Sequence, residues 1–283
     1  MKRELYTAAV SVGRLLGLGR RSLLPGSLRV LTYHKVTDVR PNSIAVGVEA
    51  FSAQQELLAA DYKVVSLTVI LDHVRSGARL PERAVLLTFD DGYRDNLLNA
   101  RPILERHGHA AVVFVPTSFV GTRGHLPHDS RLATPNQTMD WDELRALGPL
   151  FEVGSHGQSH RVLTRMPLVE ARAEIVTSKR ILEERLSRDV HAFSYPKGSI
   201  GDRSLALDAA VRAAGYTLAF VTVPGVNAPG FDPLEIHRHN VEDYGLDYFR
   251  ALLDGSAALL GAKDTRVGYG AKLLINRVRG RAL

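Results

Sequence analysis

The sequence predicts a single α/β domain in which parallel strands alternate with helices. Short apolar runs and segments of helical periodicity follow one another from residue 28 almost to the C-terminus, which is the pattern of βαβ units. About seven or eight such units are predicted, with no linker between them. Polar residues follow two of the strands where these end, and parallel sheets and barrels build their sites there. A barrel-like domain fits best, and an open doubly wound sheet is the structural alternative.

The predicted strands are short, largely apolar and bounded by turn residues. They comprise residues 28–36, 62–66, 84–89, 110–115, 151–154, 190–195, 217–221 and 234–241. The predicted helices carry apolar residues at helical spacing or a terminal Pro or Gly. They comprise residues 51–61, 67–76, 102–107, 167–186, 204–214 and 246–260, with one more that begins after Asp140.

A long polar loop is predicted for residues 117–139. Loops of this length inside a compact domain are usually functional or disordered. This loop contains His125, His128 and Asp129, which either line a substrate groove or are solvated.

The composition excludes several function classes. The chain has 283 residues, of which 45% are hydrophobic, so it can bury a sizeable core. It has no Cys, which excludes a disulfide scaffold, a thiolate nucleophile and a Cys-based zinc site. The formal net charge of +6 suits an anionic polymer or lipid surface. The predicted domain has no basic patch with interleaved aromatic residues, so no nucleic-acid partner is expected.

Basic segments flank the predicted domain. Residues 1–27 predict a basic amphipathic helix, since Arg14 interrupts the apolar run that a secretory signal needs. This helix packs on the domain, frays, or contacts a membrane surface. The α/β domain is predicted for residues 28–260, and a basic tail for residues 261–283. No apolar run reaches the ~18 residues of a spanning helix, so we expect a cytoplasmic protein with optional peripheral membrane contact.

Two adjacent carboxylates, Asp90 and Asp91, follow the strand of residues 84–89 and precede Gly92. Neighbouring strand residues point to opposite sides, but a turn that begins at Asp91 would let both acids face one pocket. Two acids that close need a cation or strong donors nearby if both are to be ionised. The alternative is an ordinary Asp-Gly turn that closes the strand.

Two histidines, His156 and His160, follow the strand of residues 151–154. Histidines four residues apart can share one face of a helical turn and hold one metal. Together with the Asp pair they supply two imidazoles and one carboxylate, and the second carboxylate is free to act as a base. This set suits a divalent metal with a position open to water.

The two motifs resemble those of the polysaccharide deacetylase family, carbohydrate esterase family 4. The family motif T-F-D-D-G is present at residues 88–92, and the motif H-[ST]-x-x-[HN] has its His positions at His156 and His160. A degenerate third motif resembles residues 193–198, and the likeness covers roughly residues 31–241. The resemblance implies an irregular (β/α) barrel with about seven strands.

The resemblance also implies roles. Asp91, His156 and His160 would bind a divalent metal, with zinc first and cobalt, nickel or iron as alternatives. Asp90 would be the general base. The implied reaction removes N-acetyl groups from an amino-sugar polysaccharide, oligosaccharide or glycolipid. A carbohydrate O-acetyl esterase, a non-sugar amidohydrolase and a non-catalytic carbohydrate-binding or assembly protein are the alternatives.

The general acid is predicted to be His34, at the end of the first strand. No C-terminal motif with the family's usual acid is clear. Members that resemble poly-N-acetylglucosamine deacetylases have circularly permuted motifs with this His on the N-terminal side, which implies His34. The competitors are His237 and His239 on the last strand. A nearby carboxylate is expected to raise the pKa of His34 above its usual value of ~6.5.

The third motif departs from the family form R-P-P-Y. Ser194 stands where the Arg is expected, and Lys197 where the Tyr is expected. That Arg supports the base in the family, and Arg238 on the last strand would supply the missing guanidinium. Arg suits a bidentate grip on a carboxylate. A surface ion pair is the alternative for Arg238.

The predicted substrate-binding residues are Tyr195, Pro196, Lys197 and Trp141. A backbone N–H of residues 195–198 would complete an oxyanion site. Trp141 lies in a capping-box pattern that starts a helix after the long loop. Its ring either packs in the core or forms a platform for a sugar face.

Overall fold

The computed structural model of the protein describes residues 10, 12–13, 24–39, 44–122, 124–129 and 137–257. The strands are β1 Leu28–Tyr33, β2 Lys35–Val36, β3 Ala45–Val46, β4 Lys63–Val64, β5 Ala84–Phe89, β6 Ala111–Val115, β7 Phe151–Ser155, β8 Ala192–Ser194, β9 Leu218–Phe220 and β10 His239–Asn240. The α-helices are α1 Val48–Asp61, α2 Leu67–Ser76, α3 Arg101–His107, α4 Trp141–Arg145, α5 Leu168–Leu186, α6 Leu205–Ala213 and α7 Leu246–Asp254.

The main sheet is parallel. Its strands lie in the order β10, β1, β5, β6, β7, β8, β9, and β4 pairs with β5 outside that path. The segment before β10 runs along β9, where the Val221 N–H donates to the Ile236 carbonyl at 2.9 Å. β10 then pairs with β1, with His239 opposite Leu31. This segment therefore contacts both edges of the sheet, which confirms the irregular barrel of about seven strands rather than an open doubly wound sheet.

Strands β1, β5, β6, β8 and β9 are buried on both faces, which is the arrangement of a parallel sheet covered by helices. Alternate residues point inward and outward. The interior holds a cluster that includes Val30, Leu86, Phe114 and Phe220. The outward residues pack beneath the helices in a second, larger cluster. At the carboxyl ends of the strands the interior becomes polar, and this end positions the site.

Local sequence explains several helix ends. Ser66 caps α2 by accepting from the Val69 N–H, and Gly77 ends that helix with φ +72°. The predicted capping box of α4 is confirmed, because the Asp140 side chain accepts from the Glu143 N–H while the Glu143 carboxylate accepts from the Asp140 N–H. The structure ends α7 at Asp254, before the predicted residue 260, because Gly255 adopts a left-handed conformation.

Several predicted strands are shorter than expected. The predicted strand 28–36 breaks at His34, whose carbonyl accepts from the Asn96 side chain instead of a neighbouring strand. Beyond the break, β2 pairs only with β3 in a separate small sheet. The last predicted strand, 234–241, has regular pairing only over β10. A loop of residues 117–139 was expected, and it contains the 3₁₀ turns Thr117–Phe119 and Pro127–Asp129.

The predicted terminal segments, residues 1–27 and 261–283, fall almost wholly outside the described residues. Among the residues that the structure describes, no helix has both the length and the apolar character needed to cross a membrane.

Candidate active site

The Asp pair lies at the carboxyl end of β5, where a left-handed turn follows the strand. Asp91 has φ +74° and Gly92 has φ +66°. Positive φ is uncommon outside Gly, although Asp tolerates it better than most residues. The turn brings Asp91 back toward the pocket that Asp90 faces. As a result, one oxygen of Asp90 and one of Asp91 lie 4.0 and 3.7 Å from the same atom, His156 Nε2. Both carboxylates are almost fully buried.

The two predicted histidines face Asp91 from the end of β7. The Nδ1 atom of His156 lies 2.8 Å from the Ser194 carbonyl, which can only accept a hydrogen bond, so Nδ1 carries the proton. The unprotonated Nε2 atom can therefore bind a metal through its lone pair. His160 Nε2 lies 3.1 Å from Asp91 Oδ1. The prediction that His156 and His160 share one face of a helical turn is wrong. Residues 156–160 form a loop in which Gly157 and His160 have positive φ.

Glu174 on α5 holds this loop in place. Its Oε2 accepts from the Gln158 and Ser159 N–H groups at 2.9 and 2.8 Å. Its Oε1 accepts from the Ser159 hydroxyl at 2.6 Å. The carboxylate thus satisfies the backbone of the turn that aims His160, a role that no sequence motif revealed.

The residues fit a divalent cation. Asp91, His156 and His160 each offer one ligand atom, and these atoms lie within 4.8 Å of one another. Both Asp91 oxygens are buried, and no residue that the structure describes makes a hydrogen bond of ordinary geometry with them. A buried carboxylate without donors is costly unless a cation compensates it. Two imidazoles and one carboxylate are a common donor set for zinc and similar metals.

The protonation states agree with this fit. Burial lowers the pKa of His156 to about 4, so its imidazole is neutral at pH 7. Burial alone would raise the pKa of Asp91, but His160 and His128 hold it well below its usual value. Burial opposes the charge on His160, yet Asp91 raises the pKa of that imidazole. A cation would therefore compete with a proton for His160.

Arg238 binds the other acid of the pair. Its Nη1 and Nη2 donate to Asp90 Oδ1 and Oδ2, each at 2.8 Å. The guanidinium also donates to the Ser194 hydroxyl at 2.8 Å and to the Val221 carbonyl at 3.1 Å. Arg238 is fully buried, so the alternative of a surface ion pair is wrong. Burial alone would raise the pKa of Asp90, but Arg238 lowers it, which keeps the carboxylate ionised.

The order of these site residues matches a known family. A family model described as polysaccharide deacetylase matches residues 77–219, about half of the chain. The chain belongs to the polysaccharide deacetylase family. The family match contains both acids and both candidate histidines, whereas His34 and Arg238 lie outside it. The limits 28–260 for the catalytic domain stay a prediction.

Similar proteins align with most of the chain. The poly-beta-1,6-N-acetyl-D-glucosamine N-deacetylase of Staphylococcus epidermidis is 26% identical over 242 residues, which are 82% of this chain and 75% of that protein. The structure of IcaB from Ammonifex degensii has a TM-score of 0.70 at 22% identity and covers 82% of this chain and 97% of that chain. The Streptococcus pyogenes deacetylase PplD has a TM-score of 0.69 at 19% identity, with 81% and 99% covered. These structures share the fold.

His34 lies beside Asp90 at the carboxyl end of β1, where the Asp90 N–H donates to the Tyr33 carbonyl at 2.9 Å. The prediction that a nearby carboxylate raises the pKa of His34 above its usual value is wrong. Burial lowers the pKa of His34 below its usual value, and the opposing effect of Asp91 and Asp90 is smaller. The competitors His237 and His239 flank the inward-pointing Arg238, so strand alternation directs their side chains to the other face.

The third-motif loop differs from the prediction at Tyr195. Ser194 points inward to Arg238, so Tyr195 points outward, where its hydroxyl donates to Asp208 on α6 at 2.8 Å. Pro196 is buried, and Lys197 is exposed with φ +60°. Lys197 lies close enough to His160 to affect its charge. The loop thus brings Lys197, but not Tyr195, to the site.

Trp141 also lies elsewhere. Its ring is half-buried against the outer cluster, with the Arg185 guanidinium 5.7 Å from the ring centroid. Arg185 belongs to the last turn of α5. These contacts correspond to the packing alternative and not to a sugar platform beside the acids.

His128 reaches the site although the sequence left its position open. Its Nε2 atom lies 3.3 Å from Asp91 Oδ2, and its side chain is 31% exposed. The next residue, Asp129, is buried in an ion pair with Lys35 at 2.9 Å. Burial alone would raise the pKa of Asp129, but Tyr93 and Lys35 lower it. Only the length of the loop hinted at this role, and Lys35 carried no sequence signal.

Proposed function

We propose that the protein is a metal-dependent deacetylase that removes N-acetyl groups from an amino-sugar polysaccharide. Family membership supports a hydrolase of this class. The relative from Staphylococcus epidermidis is named for poly-beta-1,6-N-acetyl-D-glucosamine, which makes a polymer of N-acetylglucosamine the first candidate substrate. The observation that carries the proposal is the contrast within the Asp pair. Asp90 is held by Arg238, whereas buried Asp91 lies among imidazoles and has no hydrogen bond of ordinary geometry within the described part of the chain.

Asp91, His156 and His160 would hold the cation, with zinc as the first candidate and cobalt, nickel or iron as alternatives. A divalent cation there would supply Lewis acidity toward a water and toward the acetyl carbonyl. Asp90 is ionised because Arg238 lowers its pKa. Each carboxylate oxygen has two lone pairs, so Asp90 can accept a proton from water while both oxygens stay bonded to the guanidinium. Arg238 fixes the direction of those lone pairs.

His34 would protonate the leaving amine. An amine departs poorly unless it is protonated, and His34 ends the strand next to Asp90. Its low pKa favours release of the proton during the reaction. In the loop of residues 195–198, the N–H groups of Tyr195 and Gly198 donate to carbonyls of Phe220 and Pro196. We therefore propose the Lys197 N–H as the donor to the carbonyl oxygen of the acetyl group.

Product analysis by mass spectrometry tests this function. The protein is incubated with oligosaccharides of β-1,6- and β-1,4-linked N-acetylglucosamine, an O-acetylated sugar polymer and a simple acetamide. We expect loss of acetyl groups from N-acetylated oligosaccharides, and much slower loss with Asp90→Asn. Preferential release from the O-acetylated polymer would favour an esterase, and release only from the acetamide would favour a non-sugar amidohydrolase. Release from none, with tight oligosaccharide binding, would favour a binding protein.

Two finer proposals need separate measurements. Elemental analysis of the protein purified without added metal identifies the native cation. The cytoplasmic location and the membrane contact of residues 1–27 stay predictions, which fractionation of cells that express the protein would test.

A further inference from the structure

A chain of polar side chains leads from Lys35 to the candidate metal ligand Asp91. The Lys35 Nζ atom lies 3.0 and 2.9 Å from the two Asp129 oxygens. The Tyr93 hydroxyl lies 2.6 Å from Asp129 Oδ2 and 2.9 Å from His128 Nε2. The same His128 nitrogen lies 3.3 Å from Asp91 Oδ2. The chain thus connects β2 with the candidate metal ligand through the long loop.

Proton counting gives the direction of each contact. Lys35 only donates, and the paired Asp129 carboxylate only accepts. The single proton of the Tyr93 hydroxyl lies on its short contact to Asp129, so the Tyr93 oxygen accepts from His128. His128 Nε2 therefore carries one proton, which is directed to the Tyr93 oxygen at 2.9 Å and has Asp91 Oδ2 as a second, more distant acceptor at 3.3 Å. A nitrogen that carries a proton cannot bind a metal, which separates His128 from His156 and His160.

Fold stability does not explain this chain well. The side chains of Lys35 and Asp129 are 0% and 1% exposed. Burying such an ion pair costs desolvation energy, and apolar residues of similar volume often serve the fold as well or better. Lys35 also lies 4.5 Å from the centroid of the buried Tyr93 ring, which fixes the ring from one side. Orientation of His128 is the property that apolar residues would not supply.

We propose that Lys35, Asp129 and Tyr93 are positioning residues that keep the proton on His128 Nε2 and hold this N–H beside Asp91 Oδ2, so that Asp91 presents Oδ1 to the metal. The inference rests on the proposed metal-dependent function. Asp91 Oδ1 is the oxygen that lies 3.1 and 3.7 Å from the Nε2 atoms of His160 and His156. Without a donor at Oδ2, rotation of the carboxylate would let either oxygen face those atoms. Outer partners of metal ligands typically change metal affinity ~10–100-fold.

Metal affinity provides the first test. Zn²⁺ binding is measured by competition with a chromophoric chelator for wild type, His128→Phe and His128→Gln. Phe keeps a ring but removes the donor, whereas the Gln amide places an N–H near the position of Nε2. We expect His128→Phe to weaken Zn²⁺ binding ~10–100-fold and His128→Gln to retain most of the affinity. His125→Phe, the same substitution in the same loop, is the matched control and should bind Zn²⁺ like wild type.

The tautomer of His128 provides the second test and does not depend on a ring substitution. In the zinc-loaded protein labelled with ¹⁵N-histidine, the His128 signal should report the Nε2–H form. Asp129→Asn introduces an amide that donates to Tyr93, so the hydroxyl proton turns toward His128. We expect the Nδ1–H form in Asp129→Asn, together with weaker Zn²⁺ binding. The signal is assigned from its absence in His128→Gln.

The outcomes separate this inference from the proposed function. Failure of wild type to bind Zn²⁺ would overturn the proposed function, and the inference with it. Tight binding by wild type and by His128→Phe alike would overturn only the inference. Equal losses in His128→Phe and His128→Gln, or an Nδ1–H form in wild type, would overturn the donor role.

Discussion

Asp90 and Asp91 are neighbours in the chain and equally buried, but different side chains contact them on the two sides of the pocket. On one side, Arg238 donates to both oxygens of Asp90. On the other side, Asp91 lies within 3.1–3.7 Å of nitrogens of His128, His156 and His160, and its oxygens have no hydrogen bond of ordinary geometry to any described residue. One carboxylate is thus paired with a fixed guanidinium, which suits the proposed base, and the other lies among imidazoles, which suits the proposed metal ligand.

The largest expected effect comes from removing a ligand on the Asp91 side. His156→Ala should release the metal and reduce deacetylation to background, because the imidazole offers its Nε2 atom to the candidate cation. The loss of affinity should exceed the ~10–100-fold that outer partners contribute. Metal content after dialysis is the measurement, with His191→Ala on the outer surface as the control. Equal metal content in His156→Ala and wild type would reject the assignment of this side.

The next prediction tests which of the two acids is the base and which is the metal ligand. Asp90→Asn should keep the metal and lose ~10²–10⁴ in turnover, which is the usual contribution of general base catalysis. Asp91→Asn should lose metal and turnover together. Metal analysis and turnover are measured on the same samples of both variants. Loss of metal from Asp90→Asn, with retention in Asp91→Asn, would show that the roles are reversed.

The contrast between the acids was partly predictable from sequence. Each candidate ligand follows a short apolar strand, and parallel strands end at the same edge, so Asp91, His156 and His160 were expected to meet. The role of Arg238 was inferred because the third motif has Ser194 where the family has an Arg. The outward direction of Tyr195 follows from alternation with Ser194 but was missed. His128 could not be predicted, because its position depends on a buried contact between Lys35 and Asp129, which are 94 residues apart.

The third effect concerns stability on the Asp90 side. Arg238→Met should destabilise the metal-free protein by about 3–5 kcal/mol near neutral pH, because it leaves Asp90 buried and unpaired. Urea unfolding measures this loss. Arg238→Met combined with Asp90→Asn should recover part of it, since the unpaired charge is then absent. A loss as large in the double variant as in Arg238→Met would show that Arg238 acts through packing rather than through Asp90.

The pH dependence of that difference has a definite sign. In wild type the pKa of Asp90 is lowered, so its contribution to stability is present above the unfolded pKa of ~3.9 and is lost as pH falls further. In Arg238→Met, burial without the guanidinium should raise the pKa of Asp90, so stability is lost as pH rises through that raised value. The gap between the two proteins should therefore widen from acid toward neutral pH. A gap that is independent of pH would contradict the ion-pair explanation.

The smallest expected effect belongs to His34, which lies between the two sides and contacts the leaving group only in the proposed reaction. Because burial lowers the pKa of His34, little of the imidazole is protonated at pH 7. Its contribution should lie near the low end of the ~10²–10⁴ range for general acid catalysis. His34→Ala should leave metal content unchanged and lower amide turnover about 10²-fold. It should affect an aryl acetate much less, because a phenolate departs without protonation. Equal losses on both substrates would indicate that His34 positions the substrate, and full amide activity in His34→Ala with a loss in His237→Ala would move the acid to the last strand.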